Sequence, residues 1–598
     1  MTYSILYSTK SLQLFLEAIA AVALLIGCIA PQTAASFFRR WETGFAALVR
    51  KPWRAIAAAA LFPLIARALL LPAFPLPLPR VHDEFSYLLL GDTLAHGRIA
   101  NPTPPFWKHF ETEYELVRPT YASQYQPAQG IALAAGQSLT GEPWWGVWLS
   151  VGLMCGALCW ALAALLPWRW AFFGSVLGAL QFGIYGFWMN SYFGGAIAAS
   201  GGALVFGAIA RPRTTSNAIL CALGLIVLFA SRPLEGLLWL CVVCAMALPR
   251  TRRVAWRPAL AFILVLAAGA AALACYNAGV TGNPAQSPYV LYRADYGTPQ
   301  SYWWQPPVIV RHFDHPELEA NYRDQLHFWQ RRYSAAALWD STWRRQRDFW
   351  RFFIGPFLTP ALLFTVFAVR RKKLRPWLWV SAIFILDHAT YHAWYPQQSA
   401  GETVLILLLI VESWRHLRAW QRRNSLGLAC SRQLIAGFAV ALILLGAGLA
   451  LKPALPYSWS GTHRVLDGLY PAPDSRQRAV QWLRRIPGKH LVFVRYEARH
   501  YWYDEWVFND ADINSSRIVF ARVCTPDSDR ALAASMQDRD VWMADVGASL
   551  ELSRITPARV DLASKIRTNA PRLRLPAPVL PAPLPADVGL VFTLAPAP

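Results

Sequence analysis

The chain alternates between long apolar runs and short arginine clusters, and this alternation constrains its fold more than any other feature. The runs lie near 12–30, 55–76, 146–166, 170–187, 193–210, 216–231, 234–248, 258–277, 352–369, 376–392, 400–416 and 433–452. Several fall short of the ~20 residues that span a bilayer, so neighbours can pair as hairpins. Charge collects in alternate loops: Arg39, Arg40, Arg50, Lys51 and Arg54, then Arg169, then Arg211 and Arg213. Arg250, Arg252, Arg253 and Arg257 follow, then Arg370, Arg371, Lys372, Lys373 and Arg375, and last Arg415, Arg418, Arg422 and Arg423. The turns between, such as 188–193 and 393–400, carry no Lys or Arg. Positive charge marks the cytoplasmic side. The pattern predicts a polytopic α-helical membrane protein of about 12 transmembrane helices, multi-pass in the plasma (inner) membrane.

Composition agrees with this. Hydrophobic residues make up 55% of the 598 and charged residues only 15%, where soluble domains carry about a quarter. The basic excess of 22 would suggest nucleic acid in a soluble chain, but here it sits between apolar runs and reads as topology. Nucleic acid is therefore not an expected partner; the lipid bilayer is. The nine cysteines form no paired framework, and Cys241-Val-Val-Cys244 lies mid-run, where it reads as packing. The LIGC ending at Cys28 resembles a lipoprotein cleavage box, yet its flanks suit an uncleaved helix.

The alternation puts four segments on the outer face: 77–145, 188–195, 278–351 and the tail from about 455. It divides the chain into an N-terminal helix and cytoplasmic loop (1–54), a transmembrane domain (55–454) with outer loops 77–145 and 278–351, an outer domain (455–570), and a Pro/Ala-rich end (571–598). In the first loop, Phe85, Leu88, Leu89 and the flanking residues suit an interfacial helix that ends at Asn101-Pro102, with Asp92 and His96 on one face. A charged amphipathic helix is expected over about 315–349. In the tail, GKHLVFVRY, SSRIVFARV and DRDVWMADV read as strands, and 474–486 and 526–537 as helices. Together they predict a small C-terminal α/β domain.

Asp83 and Glu84 stand a few residues beyond the second run, where carboxylates are costly unless hydrated, paired or used. Adjacent residues do not share a helix face, so two roles are expected, one of them a general base. Equally, the pair suits a hydrated cap at a helix N-terminus. Lys108, His109, Arg118, Tyr121, Gln124 and Tyr125 follow in the same loop and are types that bind sugar hydroxyls and phosphates. Ser231-Arg232-Pro233-Leu234-Glu235-Gly236 places an arginine at an outer turn, where it pairs either with a lipid phosphate or Asp83/Glu84, or locally with Glu235. Trp188-Met189-Asn190-Ser191-Tyr192-Phe193-Gly194-Gly195 allows close backbone approach or tight packing. His388 and His392 are four apart on one helix face, a weak metal signal; phosphate or sugar contact by His392 competes with an interfacial role. No Walker loop, GxGxxG after a strand, or GxSxG is present, which argues against nucleotide-driven chemistry.

In order, the runs DEFSYLL, NPTPPFWKHFE, PTYASQYQPAQG, WMNSYFGGA, SRPLEG and VTGNPAQSPY resemble a glycosyltransferase of the membrane C superfamily. That group includes protein O-mannosyltransferases, lipid A aminoarabinose transferases and rhizobial lipopolysaccharide sugar transferases. The resemblance covers roughly residues 55–420 and is similar to its uncharacterised bacterial branch. It implies a polyprenyl-phosphate sugar donor, an acceptor hydroxyl on a lipid, glycan or protein, and inverting displacement with Asp83, assisted by Glu84, as base. Arg232, Arg118 or Lys108 would hold the donor phosphate. Some relatives use a divalent metal and others do not; Glu84 is the candidate ligand here. The segment Tyr391-His392-Ala393-Trp394-Tyr395 departs from the family's late motif, which leaves His392 without a secure role. The competing reading is a membrane transporter or flippase of an envelope component, which would want charges at mid-helix and inverted repeats.

Overall fold

A computed structural model describes residues 9–79, 81–247, 256–297, 305–310, 312–330, 335–390, 395–420, 425–451, 474–497, 500, 505–547, 550–555 and 572–575. His392 therefore lies outside the described residues, as do all of 455–473 and most of the Pro/Ala-rich end.

The chain forms two units: residues 1–463 with 508–514, and residues 464–507 with 515–598. The first is helical. Its helices are α1 (Thr9–Ile29), α2 (Ala35–Leu48), α3 (Pro52–Leu69), α4 (His82–Ala95), α5 (Pro127–Thr140), α6 (Trp144–Leu162) and α7 (Trp168–Gly178). Then come α8 (Gly195–Ile209), α9 (Thr215–Phe229), α10 (Pro233–Ala247), α11 (Trp256–Thr281), α12 (Pro288–Tyr296), α13 (Pro316–Gln330) and α14 (Ala335–Phe353). The last are α15 (Gly355–Leu362), α16 (Thr365–Ala368), α17 (Arg375–Thr390), α18 (Thr403–Ala419) and α19 (Leu426–Leu451).

Among the described residues, four helices are long and apolar enough to cross a membrane: Pro52–Leu69, Trp144–Leu162, Trp256–Thr281 and Leu426–Ala447. Gln13–Ile29, Gly195–Ile209, Thr215–Phe229 and Pro233–Ala247 are apolar but shorter. The apolar run at 352–369 is not one helix. Pro356 stands in the first turn of α15, where its missing N–H has no helical partner to lose; α15 runs on through Pro360, and the break before α16 falls at Leu363–Phe364. The run at 170–187 likewise changes pitch, from α7 to a π-helical stretch at Ala179–Ile184. The pattern gave no signal for α5, which is small and weakly amphipathic.

The segment at 77–145 departs from the expected half-solvated interfacial helix. α4 has no clear apolar stripe, and Glu84, Ser86, Tyr87, Leu89, Leu90, Gly91 and Thr93 are all buried. It packs on α5 and on a short antiparallel sheet of β1 (Asn101–Pro102), β3 (Thr120–Ser123) and β2 (Glu115–Leu116). It stops before Asn101-Pro102, at Gly97, whose φ of +71° is the left-handed turn glycine accepts without strain. Leu90, Leu116, Ala122, Tyr276, Val280 and Tyr292 form the core that fastens this loop to α11 and α12. Residues 508–514 return to the same unit. Phe508 stacks on Phe85 at 4.1 Å, and Ala511 N–H donates to Asp92 Oδ2 at 2.7 Å.

In the second unit, β4 (Lys489–Tyr496) pairs in parallel with β5 (Ile518–Arg522) and β6 (Arg539–Val546). β7 (Leu550–Ile555) and β8 (Arg572–Leu575) continue the sheet antiparallel. The flanking helices are α20 (Asp474–Leu483) and α21 (Pro526–Ser535). Alternate residues of β4 and β6 meet Ala479 and Leu483 in a core with Trp506 and Trp542.

Candidate active site

Asp83 and Glu84 occupy the first turn of α4, and successive side chains on a helix diverge by roughly 100°. They consequently reach different partners. Asp83 Oδ1 accepts the phenolic hydrogen of Tyr125. Glu84, buried, accepts the backbone N–H of Tyr192 at 3.0 Å, so it fastens α4 to the glycine-rich turn at 188–195. That turn is itself tied down: Gln129 Nε2 donates to Tyr192 O at 2.8 Å, and Tyr192 Oη donates to Pro77 O at 3.1 Å.

Tyr125 is held on every side. Its ring stacks on Tyr87 with centroids 4.2 Å apart, its carbonyl accepts from Tyr276 Oη at 2.7 Å, and its N–H donates to Ser123 Oγ at 3.1 Å. Ser123 Oγ in turn meets Ser86 Oγ on α4 at 2.7 Å. The start of α5 then reaches across to the end of α9: Ala128 N–H donates to Ala230 O at 2.9 Å. Ser231 and Arg232 follow directly, which brings the Arg232 guanidinium within electrostatic reach of Asp83.

Burial pushes the Asp83 carboxyl above its ordinary value, and the Tyr125 hydrogen bond and the Arg232 charge oppose that rise. Tyr87 is pushed up to about 12 by burial, with Arg232 opposing and Asp83 adding. Tyr125 is raised well above its ordinary value, by burial and then by the Asp83 charge. Both phenols therefore stay protonated as donors, while the carboxylate is a stronger base than a solvated one.

The same guanidinium lies within electrostatic reach of Glu235, in the first turn of α10. Glu235 Oε2 accepts the Gly401 N–H at 2.7 Å, and Trp239 Nε1 donates to Gly401 O at 3.1 Å. Gly401 is there for closeness: a Cβ on it would lie 2.4 Å from Glu235 Oε2. Beside it, His388 Nε2 lies 3.1 Å from Glu402 Oε1 and 2.9 Å from Ser399 Oγ.

The other predicted residues gather elsewhere. Lys108 Nζ pairs with Asp314 at 2.9 Å, and Arg118 lies 3.8 Å over the ring of Trp107. Arg118 lines a cavity of about 690 Å³ with Glu111, Asp295, Tyr296 and Asp314. His109 is buried in a 3-10 turn at Trp107–Phe110. Tyr121 is buried, donating to Asn509 O at 3.1 Å, and so braces the loop. Arg67 had no signal beyond its place in the last turn of α3. It is buried and donates to Phe74 O at 2.7 Å, Pro75 O at 2.9 Å and Asn190 Oδ1 at 3.0 Å, locking the Pro-rich exit to the 188–195 turn.

A divalent ion needs several oxygen or nitrogen donors at one point. Among the described residues, no three carboxylate, imidazole or thiolate donors gather at Asp83 or Glu84, and Glu84 already holds a backbone N–H. The protein groups present do not by themselves build an ion site there.

No family model matches the chain, and no curated protein matches it. Solved structures do. AglB, an oligosaccharyltransferase from Archaeoglobus fulgidus solved with Zn and sulfate, aligns over 82% of this chain and 67% of its own, at 12% identity and TM-score 0.43. ArnT from Cupriavidus metallidurans bound to undecaprenyl phosphate aligns over 83% and 93%, at 13% identity and TM-score 0.45. The archaeal enzyme with an inhibitory peptide and a dolichol-phosphate gives 12% identity and TM-score 0.41 over 85% and 70%. Likenesses at this level assign no activity.

Proposed function

We propose that this chain is a membrane glycosyltransferase of the C superfamily, a bundle of about twelve transmembrane helices with a small α/β domain on its outer face. It moves a sugar from a polyprenyl-phosphate-linked donor to a hydroxyl of a lipid, glycan or protein acceptor. The observation that carries the reading is the environment of Asp83. Its carboxyl is half-buried at the start of α4, bonded by the Tyr125 phenol and within electrostatic reach of Arg232. That is what a general base beside an anionic leaving group requires.

In the reaction, Asp83 takes the acceptor hydroxyl's proton as the oxygen attacks the anomeric carbon. The bond from that carbon to the donor phosphate oxygen breaks, the configuration inverts, and the lipid phosphate leaves with the electron pair. Arg232 is assigned to that phosphate in preference to Arg118 or Lys108, because its charge acts on Asp83 while theirs meet Trp107 and Asp314. Glu84 is a positioning residue through the Tyr192 N–H. Lys108, His109, Arg118 and Tyr121 belong to the loop that shapes the acceptor side, and His392 is retained as a donor-side contact. Membranes carrying Asp83→Asn, supplied with a polyprenyl-phosphate sugar, are expected to transfer none; wild-type transfer by that variant ends the proposal.

A further inference from the structure

At the other end of α18 from Gly401, about 25 Å away for its 17 residues, the bundle holds a second, quite different cavity. It measures about 620 Å³. Arg169 and Trp170 come to it from the start of α7, Arg371 from the loop after α16, and Arg415 and Arg418 from the last turns of α18, with the first turn of α19 closing it. Four arginines thus line it together with His416 and a single carboxylate, Glu412.

A topological charge bias asks only that basic residues be on one side. It does not ask that they converge on a hollow, nor that they be held there. Here they are held. Arg371 and Arg415 both bond the buried Glu412, Arg415 at 2.7 Å, and Arg418 bonds Glu42 on α2 at 2.8 Å. Arg169 has no hydrogen bond, ion pair or ring contact among the described residues. Trp170 gives the rim an aromatic face of the kind that seats at headgroup depth, with the Arg415 guanidinium 5.9 Å from its centroid.

We infer that this cavity binds a phosphate group, as carried by an anionic phospholipid headgroup or by a free phosphate. The planar fork of arginine matches phosphate oxygens in pairs, fixed guanidinia lose little freedom on binding, and basic hollows between transmembrane helices recognise anionic headgroups. The site is independent of Asp83 and of the reaction proposed there.

The test uses the full chain in phosphatidylcholine nanodiscs, following its thermal midpoint as phosphatidylglycerol replaces the neutral lipid, and separately as inorganic phosphate is added. The midpoint is expected to rise, and Arg169→Glu, an exposed change that breaks no described contact, to weaken the apparent affinity about tenfold. Arg257→Glu, the same charge change at an exposed site outside the cavity, is the control and is expected to leave it unchanged. A rise with lipid alone identifies a headgroup site; an Arg169-dependent rise with inorganic phosphate as well identifies a site for the phosphate itself. No rise with either, or equal losses in the two variants, overturns the inference.

Discussion

The phenol of Tyr125 donates to the carboxylate of Asp83 across a separation of 42 residues, and it is the contact that turns an acidic dipeptide into a site. Asp83 sits above its ordinary pKa because it has lost water, so in the folded protein its ionised form is disfavoured. A carboxyl raised on folding adds stability below its unfolded value and loses it as pH rises through the folded one. At neutral pH the charged Asp83 is therefore a cost. Asp83→Asn keeps an acceptor for Tyr125 and removes that cost. It is expected to lose at least about 10²-fold in transfer while its thermal midpoint in membranes stays level or rises; a fall in both would indicate damage to the fold.

Tyr125→Phe removes a hydrogen bond that lowers the Asp83 pKa, and Arg232→Gln removes a charge that lowers it. The base works only when deprotonated. In each variant the acid limb of the pH–rate profile should move to higher pH, and in Arg232→Gln the plateau rate should fall too, because the leaving phosphate loses its counter-charge. Unmoved acid limbs would separate these residues from Asp83.

Glu84 separates by chemistry from its neighbour. Glu84→Gln keeps an oxygen for the Tyr192 N–H and is expected to be mild. Glu84→Ala leaves that N–H without its bond, at about 1–3 kcal/mol, and should loosen the 188–195 turn. Hydrogen exchange at Tyr192 reads this directly.

Gly401→Ala introduces a carbon 2.4 Å from Glu235 Oε2, and the backbone or the carboxylate must move. The expected cost is about 1–3 kcal/mol, seen as a lower thermal midpoint. An unchanged midpoint would show that this corner of the bundle is slack.

In the second unit, Arg522 and Glu505 form a buried ion pair, and Glu505 Oε1 also accepts the N–H groups of Trp506 at 2.9 Å and Val507 at 2.8 Å. Arg522→Leu strands that carboxylate. The expected loss is about 3–5 kcal/mol, measured as faster hydrogen exchange across β4, β5 and β6.

Much of this was legible beforehand, for a physical reason. Apolar runs in a bilayer and alternating strands in a small sheet are set by local periodicity, so α6, α8, α9 and β4 to β6 lie within a few residues of where the pattern puts them. The tyrosines were harder. Tyr125 stood out only as one polar aromatic among several, and nothing local distinguishes it from Tyr121, which braces the loop against Asn509. Arg67 was invisible because one arginine at the end of an apolar helix resembles a topology signal, and here its guanidinium is spent on Phe74, Pro75 and Asn190.

The sequence by itself determined that this is a chain of apolar helices with an acidic pair beyond the second of them, because hydropathy and charge are properties of consecutive residues. Tertiary structure decided what the pair does. Asp83 and Glu84 are chemically near-equivalent neighbours, and only the packing of α4 against β3, α5 and the 188–195 turn gives one a phenol and a guanidinium and the other a backbone amide. A carboxylate's role follows from the water it loses and the donors it meets, and those come from residues far away in the chain.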